Sequence, residues 1–95
     1  MEDFLKEFYW TKDLSTAAYC FTHSNIHFEG LEPNPDGSKL FLFSPRARAE
    51  KIAGEFILGK ATVNARVFAD AIRRAKDVLF AHERSARRNH SSGTI

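Results

Sequence analysis

The chain contains a single cysteine, and none of its apolar runs approaches the length of a membrane span. A spanning helix needs about 20 consecutive apolar residues. Cys20 cannot form a disulfide within the chain, which favours a reducing compartment. The acidic start, Met1-Glu2-Asp3, differs from the basic start of a secretory signal peptide. We therefore expect a cytoplasmic protein without a membrane partner.

Glycine-rich loops and catalytic motifs are also missing. The five glycines stand apart from one another, so no Walker or dinucleotide-binding motif is present. Cys20 and His23 are the only local pair of nucleophile and base, and no oxyanion loop accompanies them. Cys20, His23 and His27 suggest zinc, but a closed structural site needs about four ligands. The sequence therefore predicts no enzyme, no metal site, no cofactor and no small-molecule substrate.

Aromatic residues, by contrast, are abundant, with nine Phe, two Tyr and one Trp among 95 residues. Each can bury roughly 150–250 Å², so a small domain can fold without a disulfide or a metal. We expect one domain over residues 1–84. Residues 85–95 are predicted to form a basic, polar, disordered tail, because the apolar pattern ends after His82.

Three helices are predicted from apolar residues at helical spacing. The first begins with Thr11 as N-cap and ends within the poor helix formers at 22–25. The second begins with Ser44 as N-cap, before a proline, and ends at Gly59. The third begins after Asn64 and has an apolar stripe of Ala65, Phe68, Ala69, Ile72, Ala75 and Leu79.

Two strands are predicted at 26–31 and 39–44, on either side of a turn signal at 34–37. Together they form an antiparallel β-hairpin. Residues 7–10 fit either a third short strand or a lid on the core. The predicted fold is therefore α+β, with the hairpin packed against three helices in the order α-β-β-α-α. The expected core consists of Leu14, Ala18, Phe21, Ile26, Phe28, Leu40, Leu42, Ile52, Phe56, Phe68, Ile72 and Leu79.

The second strand is apolar on both faces. Leu40 and Leu42 alternate with Phe41 and Phe43, so both faces of the hairpin need cover. Either helices cover both faces or another chain covers one of them. Phe41 and Phe43 are therefore candidate self-association residues in a homodimer, and the alanine-containing face of the third helix is a second candidate surface.

Positive charge is concentrated towards the C-terminus. Residues 1–64 hold seven Lys/Arg and nine Asp/Glu. Residues 65–95 hold seven Lys/Arg and three Asp/Glu, which gives them a net charge of +4. Such asymmetry is typical of nucleic-acid contact. Asp70 and Asp77 can neutralise their helical neighbours, so a solvated charged face is the alternative. The candidate nucleic-acid contacts are Arg66, Arg73, Arg74, Lys76, Arg84, Arg87 and Arg88.

Several short motifs resemble a family of short bacterial and phage-associated domains of unknown function. They are Thr11-x-Asp13-Leu14, Ala17-Ala18, Phe41-x-Phe43 and a helix that ends at Gly59 before Val63. Family members have a Thr-x-Asp-Leu helix start, an aromatic hairpin and two final helices. The likeness covers about residues 8–80. Family members often have a Lys-Gly pair after the first helix, whereas this chain has His23-Ser24-Asn25 there. The resemblance implies a fold and no activity.

Two functional hypotheses from different classes follow. The first is a small, non-catalytic protein-interaction module that self-associates. The alternative is a nucleic-acid-binding accessory protein that uses the basic third helix and the C-terminal tail.

Overall fold

The computed structural model describes the backbone of residues 6–93 and the side chains of residues 6–84. Within this part of the chain, three strands and three helices alternate in the order β-α-β-β-α-α, which confirms the α+β class. Residues 7–10, for which two alternatives stood open, contribute to a strand. The elements are β1 (Tyr9–Thr11), α1 (Leu14–Phe21), β2 (His27–Pro33), β3 (Lys39–Ser44), α2 (Arg46–Ile57) and α3 (Ala65–Gly93).

The three strands form one antiparallel sheet in the order β1-β3-β2. β2 and β3 are the predicted hairpin, and β1 pairs with the free side of β3, with Tyr9 opposite Phe43. The central position of β3 explains its composition, because a strand with neighbours on both sides and apolar cover is rich in apolar residues. The bounds of β3 are those predicted from the sequence, whereas β2 lies one residue later at its start and two at its end.

A β-bulge between Phe28 and Gly30 sets the register of the hairpin. Phe28 lies opposite Phe43, and Leu31 lies opposite Phe41. In a regular strand, residues three positions apart point to opposite faces. The extra residue in the bulge corrects this, so that Phe28 and Leu31 both pack against the core. Gly30 has a φ of 128°, a backbone conformation that other residues rarely adopt.

The start of α1 differs from the prediction. Thr11 belongs to β1, and Asp13 is the N-cap of α1. The Asp13 carboxylate accepts hydrogen bonds from the backbone N–H and the hydroxyl of Thr16, at 2.9 and 2.6 Å. The Thr11 hydroxyl oxygen in turn accepts the backbone N–H of Asp13 at 3.1 Å. Thr11 therefore orients the cap, while the carboxylate supplies the bonds.

The start of α2 also differs from the prediction. Ser44 is the last residue of β3, and its hydroxyl donates to the Glu29 carboxylate rather than capping the helix. Pro45 occupies the N-cap position without a side-chain hydrogen bond. At the other end of α2, Gly59 has a φ of 74° and follows the C-cap residue Leu58, as predicted.

The core lies between the sheet and the three helices. Leu40 and Leu42 are the β3 residues predicted for this core, but Phe41 and Phe43 face the helices, and both are about 1% exposed. Leu40 and Leu42 are buried too, on the opposite face of β3. Alternation alone identifies two faces and does not say which one meets the helices.

Aromatic contacts join the helices to one another. Tyr19 of α1 stacks on Phe56 of α2, with ring centroids 5.0 Å apart and planes 20° apart. Phe56 also contacts Phe68 of α3, at 5.8 Å between centroids. One phenylalanine near the end of α2 therefore connects all three helices.

α3 begins as predicted at Asn64, whose side-chain oxygen accepts the backbone N–H groups of Arg66 and Val67 at 2.9 and 3.2 Å. Its alanines at 71 and 75 are buried towards the core, whereas those at 65 and 69 are exposed. The backbone continues as helix to Gly93. Side chains beyond Arg84 lie outside the described residues, so the tail at 85–95 stays a prediction.

Candidate functional site

Three arginines of α3 lie in a row on its solvent-facing side. Arg66, Arg73 and Arg84 are seven and eleven positions apart, and both spacings are close to whole numbers of helical turns. All three side chains are exposed. With a rise of 1.5 Å per residue, the row extends over roughly 27 Å of helix. We call Arg66, Arg73 and Arg84 the arginine row.

The row is only partly neutralised. Asp70 pairs with Arg73 at 3.4 Å, as helical spacing predicts, and both side chains are well exposed. An exposed pair of this kind is weak. Among the described residues, neither Arg66 nor Arg84 has an ion-pair partner. Two of the three positive charges are therefore open to solvent.

Arg74 does not share this side of α3. The Arg74 guanidinium lies over the ring of Phe21 in α1, with its carbon 4.5 Å from the ring centroid. Lys76 is exposed three positions after Arg73, so it lies beside the row on the helix surface. The side chains of Arg87 and Arg88 lie outside the described residues. The structure thus groups three of the seven candidates in the row, places Lys76 beside it and sets Arg74 apart.

Phe41 and Phe43 do not form a surface. Their side chains are enclosed by the chain itself, where Phe21 of α1 contacts both rings. The assignment of these two phenylalanines to self-association is therefore corrected: a partner cannot reach them in the folded chain. On the alanine-containing face of α3, Ala75 is buried, whereas Ala65 and Ala69 are exposed.

A different apolar surface lies at the turn between α2 and α3. Ile57 and Leu58, the last residue of α2 and its C-cap, are 66% and 70% exposed. Val63, on the other side of the turn, is also exposed. We call Ile57, Leu58 and Val63 the corner patch. The helical spacing of Ile57 with Ala49, Ile52, Ala53 and Phe56 predicts that it faces the core, but Ile57 is exposed.

The corner patch could have been anticipated from the adjacent aliphatic residues at the end of α2, although helical spacing assigns one of them to the core. Ile57 and Leu58 are successive aliphatic residues directly before the C-terminal glycine, and the 100° step between helical positions points them in different directions. The partial burial of Phe56 and Ala61 brings the ends of the two helices together at this point. Exposed aliphatic side chains grouped in this way are typical of contact surfaces.

The Cys20, His23 and His27 string does not form a metal site. Cys20 is about 1% exposed, and burial raises the pKa of its thiol to about 12. The Nδ1 atom of His23 lies 3.1 Å from the carbonyl oxygen of Tyr19, and His27 is exposed on β2. Over the described residues, no group of three His, Cys, Asp or Glu side chains is close enough to hold a metal ion.

No family model matches this chain, and no curated protein or solved structure was found to be similar to it. The resemblance to the short bacterial and phage-associated domains therefore stays a prediction. The described helices include none that is long and apolar enough to cross a bilayer.

Proposed function

We propose that this chain is a non-catalytic protein-interaction module that self-associates through the corner patch. The observation that carries the proposal is the exposure of Ile57 and Leu58, adjacent aliphatic side chains that are each about two-thirds in solvent. Burying a side chain of this size contributes about 1.5–3 kcal/mol. Two copies related by a twofold axis would bury both pairs at once.

The surroundings of the corner patch support this proposal. It lies where the ring of Phe56 meets the ring of Phe68, so the two helix ends that present it are held together. A rigid apolar surface loses little conformational freedom on binding. Phe41 and Phe43 of the hairpin are already buried inside the chain, so the corner patch replaces them as the proposed contact.

Size-exclusion chromatography with light scattering over about 10–500 µM protein tests this proposal. We expect a dimer whose population falls with dilution. Leu58→Glu is expected to give a monomer at all concentrations. The matched control is Phe80→Glu, since Phe80 is 54% exposed on α3 and lies outside the corner patch. A wild-type chain that stays monomeric throughout, or a Phe80→Glu variant that dissociates equally, contradicts the proposal.

A second proposal is nucleic-acid binding, which rests on the arginine row. Arg66 and Arg84 leave two guanidinium groups free of ion pairs within the described residues, on one side of a helix. Arginine binds phosphate oxygens in a bidentate manner. Phosphate contacts of this kind would give affinity without sequence preference, because they do not reach base edges.

Fluorescence anisotropy with a short labelled duplex at several salt concentrations tests the second proposal. We expect log K to fall linearly with log salt. Arg66→Gln/Arg84→Gln should reduce the slope by about 2. Lys12→Gln/Lys51→Gln removes the same charge away from α3 and should leave most of the affinity. Undetectable binding of the wild type at low salt, or equal losses in both double variants, contradicts nucleic-acid binding.

A further inference from the structure

A cavity of about 330 Å³ opens where α1 ends beside α3. Phe21 and Phe28 form its apolar wall, with ring centroids 5.1 Å apart. His23, Ser24 and Arg74 supply polar groups to its lining. Neither proposed contact surface includes this cavity. Its volume lies at the lower end of the ~300–1,000 Å³ typical of small-molecule sites.

Arg74 is the charged group of this cavity, and its side chain contacts Phe21. Its guanidinium lies over the Phe21 ring at 4.5 Å, a cation–π contact that holds the planar group at the cavity. Arg74 makes no ion pair with any described residue. No carboxylate lines the cavity. The guanidinium therefore presents N–H donors and a positive charge that the described acidic side chains do not neutralise.

The acidic side chain one helical turn before Arg74 is directed to another arginine. Asp70, one helical turn before Arg74, lies 3.4 Å from Arg73. It lines a smaller neighbouring cavity of about 200 Å³, which shares Phe21, Thr22 and Arg74 with the first. An anion would therefore avoid the smaller cavity, where it meets Asp70, and favour the larger one.

The polar residues at the end of α1 differ in whether their hydrogen-bonding groups are already used within the chain. Thr22 donates its hydroxyl hydrogen to the carbonyl oxygen of Tyr19 at 2.6 Å, so this hydrogen is already used. His23 Nδ1 lies 3.1 Å from the same carbonyl oxygen. The Ser24 hydroxyl has no hydrogen bond to another described residue, and it remains available as a donor beside Arg74.

We propose that this cavity binds a small monocarboxylate with an aromatic or aliphatic body. The carboxylate accepts hydrogen bonds from the Arg74 guanidinium and the Ser24 hydroxyl, while the apolar body packs against Phe21 and Phe28. Arginine suits this role because its fork of N–H groups matches the two oxygens of a carboxylate. The ligand is a free small acid, since the cavity is too small for a folded segment.

Nuclear magnetic resonance titration of the ¹⁵N-labelled chain with phenylacetate tests this inference. We expect saturable shifts at the amides of residues 20–28 and of the turn of α3 around Arg74. Phenylacetamide, which has the same body without the charge, is expected to bind at least about tenfold more weakly, because it loses the charge-assisted hydrogen bonds. Equal binding of the acid and the amide would overturn the role of Arg74.

Arg74→Gln is expected to weaken phenylacetate binding about tenfold or more. Arg66→Gln is the matched control, because Arg66 is an exposed arginine of the same helix that lies outside the cavity lining and, unlike Arg73, has no ion pair with Asp70. Unchanged affinity in Arg74→Gln, or an equal loss in Arg66→Gln, refutes the inference. If Arg74→Gln loses its folded spectrum, Arg74→Lys replaces it. Inorganic phosphate is a second probe: binding as tight as that of phenylacetate contradicts the need for an apolar body.

Discussion

Tyr19 of α1 and Phe56 of α2 stack with their ring centroids 5.0 Å apart and their planes 20° apart. Tyr19 is buried, whereas Phe56 is half-buried and also contacts Phe68 of α3. The contact thus lies at the meeting point of the three helices, close to the corner patch.

Phe56→Ala is expected to lower the free energy of unfolding by about 2–3 kcal/mol, near the low end for phenylalanine truncation because the ring is half-buried. Urea denaturation followed by circular dichroism measures this change. Phe80→Ala removes an equally large ring that is 54% exposed, and should change stability by no more than about 0.5 kcal/mol. Similar losses in the two variants would contradict the role given to Phe56.

Gly30→Ala is expected to destabilise the fold by about 1–2 kcal/mol, because a Cβ atom is strained at a φ of 128°. No steric clash contributes, since an added Cβ would meet nothing within 4 Å. Gly54→Ala is the matched control: an added Cβ there also meets nothing, and the helical backbone of α2 favours alanine. We expect opposite signs in the two denaturation experiments, and a stabilising Gly30→Ala would exclude backbone strain at the bulge.

Asp13→Ala should lower stability by about 1–2 kcal/mol, because it removes the acceptor for both the backbone N–H and the buried hydroxyl of Thr16. Asp13→Asn retains a side-chain oxygen and should lose less. Thermal unfolding of the two variants distinguishes a capping role from a purely electrostatic one. If asparagine is as damaging as alanine, then the charge rather than the hydrogen bonds accounts for the effect.

Cys20 should react slowly with Ellman's reagent at pH 8 in the folded chain and rapidly in urea, because burial raises the pKa of the thiol to about 12. The raised pKa also predicts a pH dependence of stability. The unfolded chain loses the thiol proton first, from about pH 9, while the folded chain keeps it until about pH 12. Stability should therefore fall as pH rises through this window, by at most about 1.4 kcal/mol per unit for this group.

Denaturation at several alkaline pH values measures that decline. Burial is the main cause of a raised pKa at Tyr9 as well. A smaller dependence of stability on pH should therefore persist in Cys20→Ala. Rapid labelling of the folded wild-type thiol, or the same alkaline slope in wild type and Cys20→Ala, would rule out this account.

Local chemistry allowed much of this fold to be predicted. Positions 39–44 form a strand with the predicted bounds, Gly59 ends α2 and Asn64 caps α3. These features depend on turn residues, capping side chains and alternation, which act over a few positions. The N-cap of α1 was misplaced because Thr11 and Asp13 are both good caps, and only the pairing of β1 with β3 removes Thr11 from the choice.

The surface features were harder to predict, because they depend on which face of each element meets the rest of the chain. Phe41 and Phe43 alternate with leucines in the sequence, and this pattern shows that they share one face of the strand. It does not show that this face packs against α1, where a partner cannot reach it. The helical spacing of Arg66, Arg73 and Arg84 is present in the sequence. The separate position of Arg74 is not, because it depends on contact with Phe21 from a distant element.

The strand order β1-β3-β2 determines which step of folding the tryptophan fluorescence can follow. Tyr9 and Phe43 are paired across the sheet although 34 positions separate them along the chain. Joining them therefore costs the loop-closure entropy of the segment between them, which includes α1, β2 and the turn of the hairpin. The only tryptophan of the chain, Trp10, belongs to the strand that makes this long-range pairing. Its fluorescence therefore reports when β1 pairs with β3 during folding, whereas far-ultraviolet circular dichroism reports the formation of the helices.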